Sequence, residues 1–186
     1  MNNPLILLVG QSGCGKTTIA NYLEFIKEYK QVQSYTTRAP RCEGEIGHTF
    51  VTVEEFDNLG AMVAYTEYNG NKYGVTADMI DKCQLYVIDV PGVKTLIENY
   101  QTNRQIIILY FKSTVATRID RMIDRGDSDS AILSRLHTDE QYDWLERLKN
   151  ISWDIGKRSA KNIRLHVIDA NKTQKEVAEE VLWYLG

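Results

Sequence analysis

Gly10-Gln11-Ser12-Gly13-Cys14-Gly15-Lys16-Thr17 fits the consensus G-x-x-x-x-G-K-[ST] at every fixed position. Its context decides the fold. Residues 4–9, PLILLV, form a short apolar run that reads as a buried parallel strand. Residues 16–29 follow with Ile19, Ala20, Leu23 and Ile26 on one helical face. A strand, a glycine-rich turn and a helix together make an anion nest: backbone N–H groups converge, and the helix N-terminus adds partial positive charge. Gly10, Ser12, Gly13, Cys14, Gly15, Lys16, Thr17 and Thr18 are therefore the candidate ATP-phosphate site. Lys16 reaches the β- and γ-phosphates, and the Thr17 hydroxyl is the candidate Mg²⁺ ligand. Cys14 sits near a helix N-terminus, but it reads as a small filler rather than a redox centre.

Outward from this loop, apolar runs recur at 85–90 (LYVIDV), 106–111 (IIILYF) and 163–168 (IRLHVI). Helical patterns lie between them, through Arg118 to Ile123, and close the chain at 173–185. Strands alternating with helices imply a parallel sheet with right-handed crossovers. The expected fold is α/β: a P-loop NTPase three-layer sandwich with a parallel core sheet. Residues 1–186 are expected to form one domain. The stretch 32–78, rich in Thr, Tyr and Gly, breaks the alternation and reads as a small β-rich insertion.

That insertion holds Ser34-Tyr35-Thr36-Thr37-Arg38-Ala39-Pro40-Arg41, then Gly44-Glu45 and Gly47-His48-Thr49-Phe50-Val51. Arg38 and Arg41, three apart across a proline, place two guanidinium forks on a stiff backbone, which suits bidentate phosphate binding. The plain alternative is a pair of solvated surface arginines.

In these residues the chain resembles the guanylate kinases, whose hallmark is a serine, TTR, a proline-arginine pair, GE and an aromatic-x-Phe-Val. Tyr68-Asn69-Gly70-Asn71-Lys72-Tyr73-Gly74 resembles the family's segment ending in Tyr-Gly, and Asp89-Val90-Pro91-Gly92-Val93 its Asp-x-x-Gly-Val strand end. Arg121-Met122-Ile123-Asp124-Arg125-Gly126 with Arg135-Leu136 resembles its lid, here expected over 121–138. The resemblance implies transfer of a phosphoryl group from ATP, with Mg²⁺, to a nucleoside monophosphate, GMP or dGMP first. It implies that Arg38, Arg41 and Tyr73 hold the acceptor phosphate. His48, standing where the family has a tyrosine, would join them with a charge that varies near neutral pH; a structural histidine packed under the insertion is the competing reading. Ser34 would face the base, Asp89 the base, a metal-bound water or both, with an acid that only caps the following turn as the plain alternative, and residues 32–78 would be the nucleotide-binding insertion. Two positions depart from the family: Ala64 replaces a glutamate that reads guanine, and Val75 replaces Ser or Thr. Weaker guanine selectivity is the expectation. Another phosphorylated acceptor, such as a different nucleotide or a ribose phosphate, stays open. So does a non-catalytic binding module of the same fold.

Arg118, Arg121 and Arg125 follow one another at helical spacing before the polar tip Gly126–Ser130. A lid must exclude water and bring positive charge to the transferring group. The resemblance gives that role, beside Lys16, to Arg121, Arg125 and Arg135. Arg118 reads as a solvated face. Asn171, leaving the last strand, lies at the carboxyl edge where adenine is expected.

The net charge of -3 argues against a chain that mainly grips nucleic acid. No apolar run has the length of a membrane span, and no signal peptide is expected. Cys14, Cys42 and Cys83 form neither a CxxC nor a disulfide framework, so a reducing cytoplasm is the expected home. Small-molecule nucleotides are the expected partners, without nucleic acid or membrane. The sequence leaves oligomeric state open.

Overall fold

A computed structural model describes residues 3–41, 43–140, 143–155 and 161–186. Cys42 lies outside the described residues. The first strand, β1, spans Leu5–Gly10, and every one of its residues is buried. Its side chains alternate between two apolar layers. Leu5, Leu7 and Val9 pack in one, Ile6 and Leu8 in the other. A strand covered on both faces has no polar position to spare, which is why its sequence is an unbroken apolar run.

β1 pairs in parallel with β6 (Leu85–Val87) and with β7 (Ile106–Lys112), and β7 pairs in parallel with β8 (Ile163–Asp169). The strand order is β6-β1-β7-β8. On one face, α1 (Lys16–Lys27) and the closing helix α8 (Gln174–Leu185) bury Ile19, Ala20, Leu23, Val177, Ala178 and Val181. On the other, α4 (Val90–Asn99) and α7 (Trp144–Asn150) bury Val93, Leu96, Ile97 and Leu148. Sheet between two helical layers is the three-layer α/β sandwich the apolar runs predicted.

Two boundaries differ from expectation. The run at 85–90 is strand only to Val87, because Asp89 accepts from Gly92 N at 2.8 Å and starts α4, with Pro91 in its first turn. The first helix ends at Lys27, where Glu28 turns left-handed at φ 54°.

The insertion folds as a second sheet, ordered β3-β2-β5-β4. Its strands are β2 (Ser34–Thr36), β3 (His48–Phe50), β4 (Ala64–Tyr68) and β5 (Asn71–Val75). Short helices α2 (Val53–Asp57) and α3 (Ala77–Asp81) flank the last two strands, and a capping box from Thr52 and Glu55 opens α2. Ala64 and Val75 face each other across the β4–β5 ladder and lie in the same buried cluster as Leu7, Tyr86 and Ile88. The insertion is thereby anchored to the main core. The lid region is a pair of helices, α5 (Val115–Asp124) and α6 (Asp129–Glu140). They are joined at Gly126, whose φ of +84° only glycine adopts freely. Among the described residues no helix is long and apolar enough to cross a membrane.

Candidate functional site

Two cavities open at the carboxyl end of the parallel sheet. One, of about 650 Å³, is lined by Ser12, Gly13, Cys14, Gly15, Lys16, Thr17 and Thr18, with Arg121, Asp124 and Arg125 opposite. The other, of about 190 Å³, lies between the glycine-rich loop and the insertion, and is lined by Gly10, Ser34, Arg38, Tyr73 and Asp89 among others. Ser12, Lys16, Arg41, His48, Val87 and Arg135 line both. The predicted donor and acceptor sites thus meet at a seam carrying three cations.

The loop is held in shape by close packing. A side chain at Gly13 would place Cβ 2.5 Å from Arg118 O, and the residue's φ of +79° favours glycine as well. A Cβ at Gly10 would meet Cys14 Sγ and Phe111 O, each at 2.7 Å. Cys14 is buried, as expected of a filler. Lys16 Nζ donates to Gly10 O at 2.6 Å and Gln11 O at 2.9 Å, so its ammonium stands at the mouth of the nest.

In the acceptor cavity, Glu45 organises the two arginines. Its carboxylate accepts from Arg38 Nη2 at 2.8 Å, from Arg38 Nη1 at 3.1 Å and from the Arg41 backbone N at 2.6 Å. Burial works against the Glu45 charge, but these bonds hold its carboxyl below the ordinary value. Arg38 Nε is buried and has no partner among the described residues. A buried guanidinium N–H left open beside a cavity is a donor for an anion. Burial, then the charges of Arg135 and Arg38, push the Arg41 guanidinium below its ordinary value. Surplus positive charge of this kind favours a phosphate between the arginines. Tyr73 lies against Arg38.

His48 corrects one expectation. Its Nδ1 is 2.8 Å from Ser34 Oγ, and burial together with Arg38 lowers its pKa to about 4. The imidazole is neutral at pH 7, and its charge does not vary there. Asp89 caps α4 through Oδ1 and accepts from Thr66 Oγ1 at 2.9 Å through Oδ2. Burial raises its pKa above the ordinary value. The alternation of β4 turns Thr66 and Tyr68 toward the acceptor cavity, while Glu67 bonds the Tyr65 hydroxyl on the other face.

Arg118 is a second correction. It is not a solvated face: it is 1% exposed and paired at 3.0 Å with Asp139, also 1% exposed. Asp139 is the hub sequence reading missed. Its Oδ2 also accepts from Ser12 N at 2.8 Å, and its Oδ1 from the Tyr68 hydroxyl at 3.3 Å. Its backbone O accepts from Gln11 Nε2 at 3.3 Å and Trp144 Nε1 at 2.9 Å. The buried carboxylate of Asp139 in α6 thereby ties the phosphate loop to α5 and to the insertion, and its backbone carbonyl holds α7. The signal available in sequence was that Arg118 stands one turn before the fully buried Met122, on the inward stripe of α5.

Two of the lid arginines, Arg125 and Arg135, meet at Asp127, whereas Arg121 donates to Lys172 O at 3.4 Å. Arg125 bonds Asp127 through Nε at 3.0 Å and through Nη2, and Arg135 Nε lies 3.5 Å away. The Arg125 hydrogen bond is the main cause that holds the Asp127 carboxyl below its usual range. Arg121 Nη1 lies close enough to Gly15 to meet a Cβ there at 3.7 Å. Asn171 turns inward to the lid: its Oδ1 accepts from Thr114 N at 2.8 Å and Thr117 Oγ1 at 3.2 Å. It is not among the residues lining either cavity.

Thr17 suits magnesium that arrives with nucleotide. Among the described residues no group of three His, Cys, Asp or Glu is placed to hold a metal ion, and Val87 supplies no carboxylate at the seam. A single hydroxyl completes the shell of an ion that keeps its waters and takes phosphate oxygens.

No protein-family model matches the chain. Curated relatives do. The guanylate kinase of Clostridium tetani is 31% identical over 144 residues, covering 70% of this chain and 68% of the relative. That of Streptococcus pneumoniae is 39% identical over 144 residues with the same coverage. Among solved structures, the guanylate kinase from Anaplasma phagocytophilum superimposes with a TM-score of 0.55 at 20% identity, over 100% of this chain and 86% of that one. The glycine-rich loop, the paired arginines of the insertion and this shared sequence place the chain in the guanylate kinase family.

Proposed function

We propose that the protein transfers the γ-phosphoryl group of ATP to the phosphate of GMP or dGMP. The observation that carries this reading is the seam. Residues of the phosphate loop, the insertion, the core strand β6 and the lid line both cavities at Ser12, Lys16, Arg41, His48, Val87 and Arg135. A phosphate in each cavity would meet there, flanked by Lys16, Arg41 and Arg135. Phosphoryl transfer needs little covalent help, so holding the two phosphates in line and neutralising their charge accounts for most of the catalysis. Lys16 and the loop amides bind the ATP phosphates, while Arg38, Arg41 and Tyr73 bind the acceptor phosphate. Arg121, Arg125 and Arg135 bring charge to the transferring group as the lid closes. Thr17 would hold the Mg²⁺ that comes with ATP, and the ion would supply further charge neutralisation. The acceptor phosphate is already anionic, so no general base is required.

The intact Lys16, Thr17 and lid arginines support an enzyme over a binding module. The unpartnered buried Arg38 Nε supports a phosphorylated acceptor. Three cysteines without a disulfide framework support a reducing, cytoplasmic setting. The test is ATP-dependent phosphorylation of GMP, dGMP, AMP, CMP, UMP and ribose phosphates, read as ADP release and product mass. GDP and dGDP should form fastest. If only a ribose phosphate is turned over, or nothing is, the nucleotide reading fails.

A further inference from the structure

The resemblance to guanylate kinases leaves a gap in base recognition. The position at which the family carries an acid is Ala64, 1% exposed, and its ladder partner Val75 is 0% exposed. Both are packed in an apolar cluster, and neither offers a hydrogen bond. Guanine presents the donors N1–H and 2-amino, and the acceptor O6. A selective pocket needs an acceptor for the first two and a donor for the third.

An account of the hydroxyls around the acceptor cavity identifies the donor. Thr66 gives its proton to Asp89 Oδ2. Ser34 is engaged with His48 Nδ1. Tyr68 bridges Ser12 Oγ and Asp139 Oδ1. Tyr73 lies against Arg38 at the phosphate end. Of the two cavity hydroxyls without a hydrogen bond among the described residues, Tyr73 and Tyr86, only Tyr86 is left for the base. It lines the cavity beside Asp89, it is 4% exposed, and among the described residues its hydroxyl makes no hydrogen bond. A buried phenol normally finds a partner, and one left open toward a binding cavity is held for a ligand. Its ring is fixed in the cluster that also contains Ala64 and Ile88, so the hydroxyl needs little ordering on binding. Burial, then the Asp89 charge, raises its pKa, which keeps the phenol protonated and able to donate.

We propose that Tyr86 is a specificity-determining residue of the acceptor site, its hydroxyl donating to the 6-oxo group of the purine while Asp89 accepts from the N1 side. This rests on the nucleotide-acceptor reading above and deepens it. A neutral carboxamide or carboxylate at position 64 is then not needed for selectivity, because the oxo group is read from β6 instead of β4.

Tyr86→Phe removes one oxygen and keeps the ring, so the fold should survive. The assay measures kcat and KM for GMP, IMP and AMP with the full chain and saturating ATP. GMP and IMP share the 6-oxo group, whereas AMP carries a 6-amino group. The variant should lose about tenfold in kcat/KM for GMP and for IMP, mostly in KM, with AMP and the KM for ATP changed less than about twofold. Where AMP turns over too slowly to follow, its inhibition constant against GMP gives the same comparison. An equal loss for all three nucleotides assigns Tyr86 a structural role and overturns the proposal. No loss for any of them overturns it too. If the wild-type protein phosphorylates none of the three, the acceptor reading itself falls, and the Tyr86 assignment with it.

Discussion

Asp139→Ala tests whether the buried carboxylate is the keystone between loop and lid. The change leaves Arg118, 1% exposed, as a buried charge without its ion pair, since Asp139 at 3.0 Å carries the opposing charge. Breaking a buried pair from one side costs about 3–5 kcal/mol. Ser12 N loses its acceptor at 2.8 Å as well, which costs roughly 1–3 kcal/mol if no water replaces it. The two losses share one site and do not simply add, so about 4–5 kcal/mol is expected, a large part of a typical stability of ~5–15 kcal/mol. Urea unfolding, followed by tryptophan fluorescence, should show a midpoint lowered by about 2 M at an unchanged slope near 2 kcal/mol/M. The double change Arg118→Met with Asp139→Leu leaves no buried charge and should recover more than half of the lost stability. Its turnover should stay low, because Ser12 N and Tyr68 still lack their acceptor. A single variant within about 1 kcal/mol of wild type would refute this reasoning, as would a double variant no more stable than the single.

Lys16→Ala should cut kcat at least 100-fold, on the scale of lost electrostatic stabilisation. Its melting temperature should stay near that of wild type, since among the described residues the Lys16 ammonium bonds only loop carbonyls and the Cys14 sulfur. Arg38→Ala and Arg41→Ala should each raise the acceptor KM by the equivalent of about 2–4 kcal/mol and leave the KM for ATP nearly fixed; the opposite pattern would mean the two sites are exchanged. His48 has a folded pKa of about 4 against 6.5 unfolded, so the unfolded chain binds the extra proton between those values. Stability should therefore fall as pH drops from about 6.5 toward 4, by on the order of 1–3 kcal/mol from this group. His48→Gln should flatten that part of the pH–stability curve, and an unchanged slope would count against the neutral, buried imidazole.

The glycine-rich loop, the parallel sheet and the arginine pair were legible in the sequence because each is local. The loop needs a strand, small residues and a helix in succession, and all lie between Leu5 and Lys27. A strand buried on both faces has to be apolar where it is covered, and β1, and β7 as far as Phe111, carry that pattern plainly. Arg38 and Arg41 flank a proline, so their common direction follows from the backbone. What the sequence hid depends on distant partners. Asp139 meets Ser12 across 127 positions and Arg118 across 21. Only packing could show that a charge on an exposed-looking helix is sealed against the phosphate loop. Thr66 and Asp89 are 23 apart, and their bond leaves the Tyr86 hydroxyl as the open donor beside them. The titration of His48 is likewise a tertiary property: an isolated imidazole changes charge near neutral pH, whereas burial beside Arg38 and Arg41 disfavours the added proton. Residue types set which chemistry was available at this site, and the surrounding burial and charge decided which groups remain free to perform it.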